Sequence, residues 1–229
     1  MKLVLFDIDG TLLWTDGAGR RAMEGALYEI FGQHGDPDYR YDGKTDLQIA
    51  REQMRAAGVG DAHISQRMDD ALDAYVRRLE LELERDAATS RLCAGVLPLL
   101  DAVEAHQRAT MGLLTGNIES GARRKLRAVG VDFARFRVNA FGSDHAERPQ
   151  LPAVAQRRAE AFFGTTMPGD RMVIIGDTPA DIHCGRSLGV RAIGVATGRY
   201  STDDLAAHQP HAVFETLEDT DAVLAAILG

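Results

Sequence analysis

Four short apolar runs, each ending abruptly in a polar cluster, constrain the fold of this 229-residue chain more than any other feature. Residues 3–6 end in Asp7, 111–114 lead into Thr115-Gly116-Asn117, 172–175 into Gly176-Asp177, and 192–195 into Ala196-Thr197-Gly198. A fifth run, 138–141, precedes Gly142-Ser143-Asp144. Runs of this length without polar alternation read as strands buried on both faces, the signature of a parallel sheet. Helical spacing fills the gaps: Val96, Leu99, Leu100 and Val103, then Val154, Ala155, Ala159 and Phe162, with Arg158 interrupting the stripe. Strands alternating with helices imply right-handed crossovers and a sheet covered on both faces, a doubly wound α/β fold. Ligands in such folds bind at the carboxyl ends of the strands, where every one of these polar clusters falls.

Residues 16–90 break the pattern. They hold no convincing strand, but two strong helical stripes: Met23, Ala26, Leu27, Ile30 and Phe31, and Met68, Leu72, Tyr75, Val76, Leu79 and Leu83. A weaker helix between them spans 46–57 and stops at Gly58. The expectation is a core domain of residues 1–15 and 91–229, interrupted by a helical domain of residues 16–90. Gly17 and Gly19 on one side and the 87–95 segment on the other are the expected hinges.

Three clusters carry chemistry. Asp7-Ile8-Asp9-Gly10-Thr11 places two carboxylates two residues apart just past a strand. One can attack phosphorus while the other handles the leaving-group proton, and their mutual repulsion invites a hard cation that prefers oxygen ligands. Thr115-Gly116-Asn117 offers a hydroxyl and backbone N–H groups at a strand end leading into a helix, an arrangement suited to an anion. Gly176-Asp177-Thr178-Pro179-Ala180-Asp181 adds two carboxylates at the start of another helix, with Pro179 in its first turn. Each has a structural reading too: an Asp-Gly turn, a helix cap, and an acidic residue suited to a helix dipole.

Taken in order, the three resemble the haloacid dehalogenase-like (HAD) superfamily, in the subgroup of phosphoglycolate phosphatases and β-phosphoglucomutases with a helical cap. The resemblance covers essentially the whole chain and implies a Rossmann-like core with residues 16–90 as the cap. It implies that Asp7 forms an aspartyl-phosphate and that Asp9 protonates the leaving group and then activates water. Thr115, with the backbone of Gly116 and Asn117, would hold the phosphoryl oxygens. Mg²⁺ would be bound by Asp7, the backbone carbonyl of Asp9 and Asp177, with Asp181 a ligand through water or a support for a basic residue. Dehalogenases lack the second Asp, and phosphonate-cleaving relatives carry a small residue there, so Asp9 favours phosphate esters.

The family's third motif usually supplies a lysine. The three lysines are Lys2, Lys44 and Lys125, and none stands at that place. Arg148, in Glu147-Arg148-Pro149, is the expected substitute, because a guanidinium stays charged and grips two oxygens. The 41–46 loop falls where related caps carry specificity, so Lys44 is a candidate for substrate binding. The run Arg123-Arg124-Lys125-Arg127 reads as a solvated helix face. Trp14 either lines the pocket or packs the hinge.

The formal net charge of −8 argues against nucleic acid as the main partner, since that needs a basic face. Cys93 and Cys184 lack disulfide-framework or metal spacing. No apolar run approaches a membrane span, and the first residues are too short a run for a signal peptide. The expectation is a cytoplasmic, Mg²⁺-dependent phosphatase for a small phosphomonoester, of open oligomeric state. A sugar-phosphate mutase using Lys44 and Asp46, or a non-catalytic phospho-accepting module, are the alternatives.

Overall fold

The computed structural model describes residues 1–229. Six strands form one parallel sheet: β1 (Lys2–Phe6), β4 (Ala109–Thr115), β5 (Ala140–Phe141), β6 (Met172–Gly176), β7 (Arg191–Val195) and β8 (Ala212–Phe214). Their spatial order is β5-β4-β1-β6-β7-β8, with every pairing parallel. The first strand is thus central, and Asp7 follows it into the middle of the sheet's carboxyl edge.

Why β1 is apolar at every interior position is seen in what covers it. Successive side chains of a strand point to opposite faces. Val4 and Phe6 join one apolar cluster with Leu99 and Leu100 of α4 (Val96–Ala105), Leu126 of α5 (Glu119–Ala128) and Val223 of α9 (Thr220–Leu228). Leu3 and Leu5 join another with Leu151, Ala155 and Ala159 of α6 (Leu151–Phe163). Each fully buried side chain of this kind stabilises the fold by roughly 1.5–3 kcal/mol before entropy is counted. The doubly wound α/β expectation therefore holds, with helices on both faces.

Residues 16–90 fold as α1 (Ala18–Phe31), α2 (Asp46–Ala56) and α3 (Asp61–Arg85). Their apolar stripes meet in a cluster of their own, to which the rest of the chain contributes Ile118. The chain enters and leaves this bundle through a two-stranded antiparallel ribbon, β2 (Leu13–Trp14) against β3 (Arg91–Leu92). The remaining short helices are α7 (Pro179–Cys184) and α8 (Thr202–Ala206).

Some expectations need correction. Gly19 lies inside the first turn of α1 and is no hinge residue, whereas Asp16 and Gly17 take positive φ values of 48° and 80°. Phe162 does not continue the buried stripe of α6. It is 47% exposed, because only Leu151, Pro152, Ala155 and Ala159 face the sheet. The strand expected over 138–141 pairs only at Ala140 and Phe141. The edge strand β8, too short for a periodic signal, was not foreseen.

Candidate active site

The local backbone explains how the first motif is presented. Asp7 continues the ladder, its N–H donating to the Ile175 carbonyl at 2.9 Å. The chain then turns sharply, with Leu12 and Leu13 N–H both donating to the Ile8 carbonyl and Gly10 at φ 80°. A Cβ at Gly10 would lie 2.4 Å from Asp177 Oδ2, so only glycine allows the first and last motifs to pack together. Thr11 Oγ1 donates to Asp177 Oδ1 at 3.1 Å, and Thr197 Oγ1 donates to the Gly10 carbonyl at 2.6 Å.

Asp7, Asp177 and Asp181 are all buried, and one oxygen from each lies within 4.8 Å of the others. Burial is the main reason the Asp7 carboxyl is raised to about 6. Arg148 opposes that rise, and Asp181 and Asp9 add to it. Burial, then Asp181 and Asp7, push Asp177 well above the ordinary carboxylate range. The Asp9 carboxylate stands outside this trio.

Arg148 opens a short 3₁₀ turn, Arg148–Gln150, directly ahead of α6. It is 4% exposed, pairs with Asp7 at 3.0 Å and also pairs with Asp181. Burial works against its charge, but Asp181 and Asp7 more than compensate and hold the guanidinium proton more tightly than usual. Its Nε–H is buried without a partner. Asp181 is committed on both oxygens. Oδ1 takes Arg148, and Oδ2 accepts from Thr178 N and Oγ1 in the capping box that starts α7. Asp181 thus contacts the basic residue and also stands in the carboxylate trio.

Thr115 ends β4 and is fully buried. Asn117 Nδ2 donates to Thr115 Oγ1 at 2.8 Å and to Asp9 Oδ2 at 2.7 Å. Lys44 also lines the cavity, but its Nζ donates to Glu52 Oε2 and Tyr39 Oη, both at 2.7 Å. Trp14 lines the cavity, and its Nε1 donates to the Thr197 carbonyl at 3.0 Å.

Lys125 overturns the reading of a solvated basic face. It is 5% exposed, and its Nζ donates to Asp9 Oδ1 at 2.8 Å, Asp9 Oδ2 at 2.7 Å and Asn117 Oδ1 at 2.7 Å. Its neighbours Arg123, Arg124 and Arg127 do pair at the surface, with Glu119 and Glu80. The missed signal was periodicity. Gly121, Ala122, Lys125 and Leu126 form the buried face of α5, so Lys125 occupies a stripe position.

The bundle closes the site from above. The Asp46 N–H donates to the Gly116 carbonyl at 2.8 Å, the Asp46 carboxylate accepts from Ile118 N at 2.8 Å, and Thr45 Oγ1 donates to the Ala146 carbonyl at 2.6 Å. Between bundle and sheet lies a cavity of about 190 Å³ whose walls include Asp7, Asp9, Thr115, Lys125 and Arg148. That is smaller than the roughly 300–1,000 Å³ of a drug-sized site.

Residues 148–220 match the family model described as HAD-hydrolase-like. The chain is 26% identical to the protein named Probable phosphatase IndB of Dickeya dadantii, over 99% of this chain and 94% of that protein. It is 23% identical to Glycerol-1-phosphate phosphohydrolase 2 of Saccharomyces cerevisiae, over 86% of this chain and 75% of that one. Among solved structures, a hydrolase from Pseudomonas syringae superposes with a TM-score of 0.71 at 18% identity, covering 99% of both chains. CbbY from Rhodobacter sphaeroides, in complex with phosphate, superposes with a TM-score of 0.65 at 19% identity, covering 96% of both. These structural likenesses speak for the fold, and the matched family model marks residues 148–220 as similar to HAD-hydrolase-like proteins.

Proposed function

We propose that this chain is a Mg²⁺-dependent phosphatase acting on a small phosphomonoester, with Asp7 as nucleophile and residues 16–90 as its cap. The observation that carries the reading is the setting of Asp7. It sits at the end of the central strand with Arg148 at 3.0 Å and two further buried carboxylates beside it. The names of the two curated relatives, one a phosphatase and one a glycerol-1-phosphate phosphohydrolase, agree with it.

A hard divalent cation fits the donor set. Three buried carboxylates converge there, and two of them have raised proton affinities, chiefly because they are buried and stand beside one another. Asp7, Asp177 and the backbone carbonyl of Asp9 would hold the ion, and Asp181 would stand behind it through Arg148 and Thr178. When bound, Mg²⁺ supplies positive charge that screens these carboxylates and the phosphoryl oxygens from each other.

The remaining chemistry falls to the chain. The Asp7 carboxylate attacks phosphorus, the bond from phosphorus to the ester oxygen breaks, and Asp9 delivers a proton to that oxygen. Asp9 then takes a proton from water as the water attacks phosphorus, which releases phosphate and restores Asp7. Arg148, through its unpartnered Nε–H, and the Thr115 hydroxyl would hold phosphoryl oxygens in line. Lys125 and Asn117 fix the Asp9 carboxylate at the cavity wall. A sugar-phosphate mutase is the second reading; the pairing of Lys44 with Glu52 and the bond from Ile118 N to the Asp46 carboxylate support the phosphatase over it.

Phosphate release from a panel of phosphomonoesters tests the reading. Mg²⁺ should support turnover, EDTA should abolish it, and Asp7→Asn should reduce it to background. Turnover surviving in Asp7→Asn would refute the nucleophile.

A further inference from the structure

The cavity has two ends of different chemistry. Asp7, Arg148 and Thr115 define the phosphoryl end. The rest of the cavity wall carries three further cations: Arg20, Lys44 and Lys125. Each already has a carboxylate partner: Glu24 at 2.8 Å, Glu52 at 2.7 Å and Asp9 at 2.7 Å. Lys125 has all three N–H groups engaged, and Arg20 also donates to the carbonyls of Pro37 and Tyr39. Two further acids face the same space. Asp46 has a backbone N–H as its partner and no cation, and Asp42 reaches Arg199 only at 3.7 Å. A second anionic group on the substrate would meet more carboxylate than cation, with no cation free of a carboxylate.

What the wall does leave open is hydroxyl chemistry. Tyr75 is 1% exposed, lines the cavity, and its hydroxyl forms no hydrogen bond within the protein. Burial, with Asp46, Asp9 and Tyr41 nearby, keeps that phenol protonated far beyond the ordinary range, so it stands as a donor. Buried polar groups in folded proteins are nearly always satisfied, so a phenol facing the cavity with no partner in the protein points to a ligand that completes it. The carboxylates of Asp42 and Asp46 would accept from the same ligand.

We propose that the substrate is the phosphate ester of a small, uncharged, hydroxyl-bearing alcohol, and that Tyr75 is a specificity residue reading one of its hydroxyls. Phosphorylated carboxylic acids and bisphosphates are excluded by the same wall. This rests on the phosphatase reading for the placement of the phosphoryl group, but not on turnover.

The test is calorimetric binding to the Asp7→Asn protein in Mg²⁺ buffer, which reads the leaving-group end without hydrolysis. Glycerol 3-phosphate should bind at least tenfold more tightly than phosphoglycolate. Adding Tyr75→Phe should weaken glycerol 3-phosphate by about 3- to 10-fold, the range for one hydrogen bond, and leave ethyl phosphate within twofold. Phosphoglycolate binding equally or better would overturn the proposal, as would equal weakening of ethyl phosphate by Tyr75→Phe. A wild-type protein that releases no phosphate from any ester would instead refute the phosphatase reading, and the binding order would still decide this one.

Discussion

Lys125 shows how much a single side chain can hold when its three donors are all engaged inside one cavity wall. Its ammonium spans both oxygens of Asp9 and the amide oxygen of Asn117, whose own Nδ2 reaches Thr115. The expected outcome of Lys125→Met follows from burial and exposure together. Methionine replaces the stem at a 5% exposed position, while Asp9, whose side chain is 41% exposed, keeps water as a partner. Thermal unfolding should therefore shift little. Phosphatase activity should fall on the order of a hundredfold, since a misplaced catalytic group costs about that much. A large loss of stability with activity per folded molecule unchanged would assign Lys125 to the core alone. The residues that could be read from the chain itself were those in local motifs: Asp7 and Asp9, Asp177 and Asp181. Arg148 followed from elimination, because no lysine stood at its place. Lys125 did not, because its role depends on which face of α5 turns inward, and its neighbours in the basic run truly are solvated.

At the scale of elements, the contact between the 41–46 loop and the strand-end loops governs access to the site. A Cβ on Gly116 would lie 2.0 Å from the Lys44 carbonyl oxygen, a backbone atom that cannot swing aside. Gly116→Ala should push the loop outward at a cost of about 1–3 kcal/mol, free the Asp46 amide from the Gly116 carbonyl, and speed its hydrogen exchange. Unchanged exchange at that amide would show that the loop does not rest on Gly116. Asp46 adds a pH signature. Burial is the chief cause of its carboxyl being raised to about 6, with Asp9 adding to the rise and Lys125 and the Ile118 N–H opposing it. A raised acid favours the fold most while protonated, so its contribution is full below about pH 4 and is lost as pH rises through about 6. The melting temperature of wild type relative to Asp46→Asn should therefore decline between pH 4.5 and 6.5 and level off above. A flat difference would contradict the burial of a titrating Asp46. The helices of this region were legible from their apolar spacing, but their docking onto the strand ends was not. It rests on hydrogen bonds between residues as far apart as Thr45 and Ala146, which no local pattern records.

For the whole molecule, the question is how two apolar cores and one acidic centre combine. The sheet core and the helical cluster are joined by the β2–β3 ribbon and by the contacts over the cavity. The acidic centre lies at the sheet's carboxyl edge, so Mg²⁺ binding should stabilise the fold by mass action, by about 2.7 kcal/mol at a hundred times its dissociation constant. Wild type should accordingly melt at higher temperature with Mg²⁺ than with EDTA, and Asp177→Asn should show a smaller difference. Equal shifts in both proteins would place the ion elsewhere. The architecture itself was legible because four of the six strands announce themselves as uninterrupted apolar runs; the fifth run is broken by Asn139, and only Ala140 and Phe141 enter the sheet. The sixth, β8, has three half-buried residues at the margin and gives no such signal.

That margin has a consequence of its own. The sheet ends on β5, with two residues, and on β8, with three. A strand edge recruits other chains through its row of unpaired backbone groups, and the length of the row sets how well it can template them. Here the long strands are all interior, and what remains at either border is too brief to extend a sheet from one molecule into the next. Should copies of this chain associate, the natural surfaces are those of its helices, and the protein should stay free of fibrillar aggregation under conditions that leave the sheet intact.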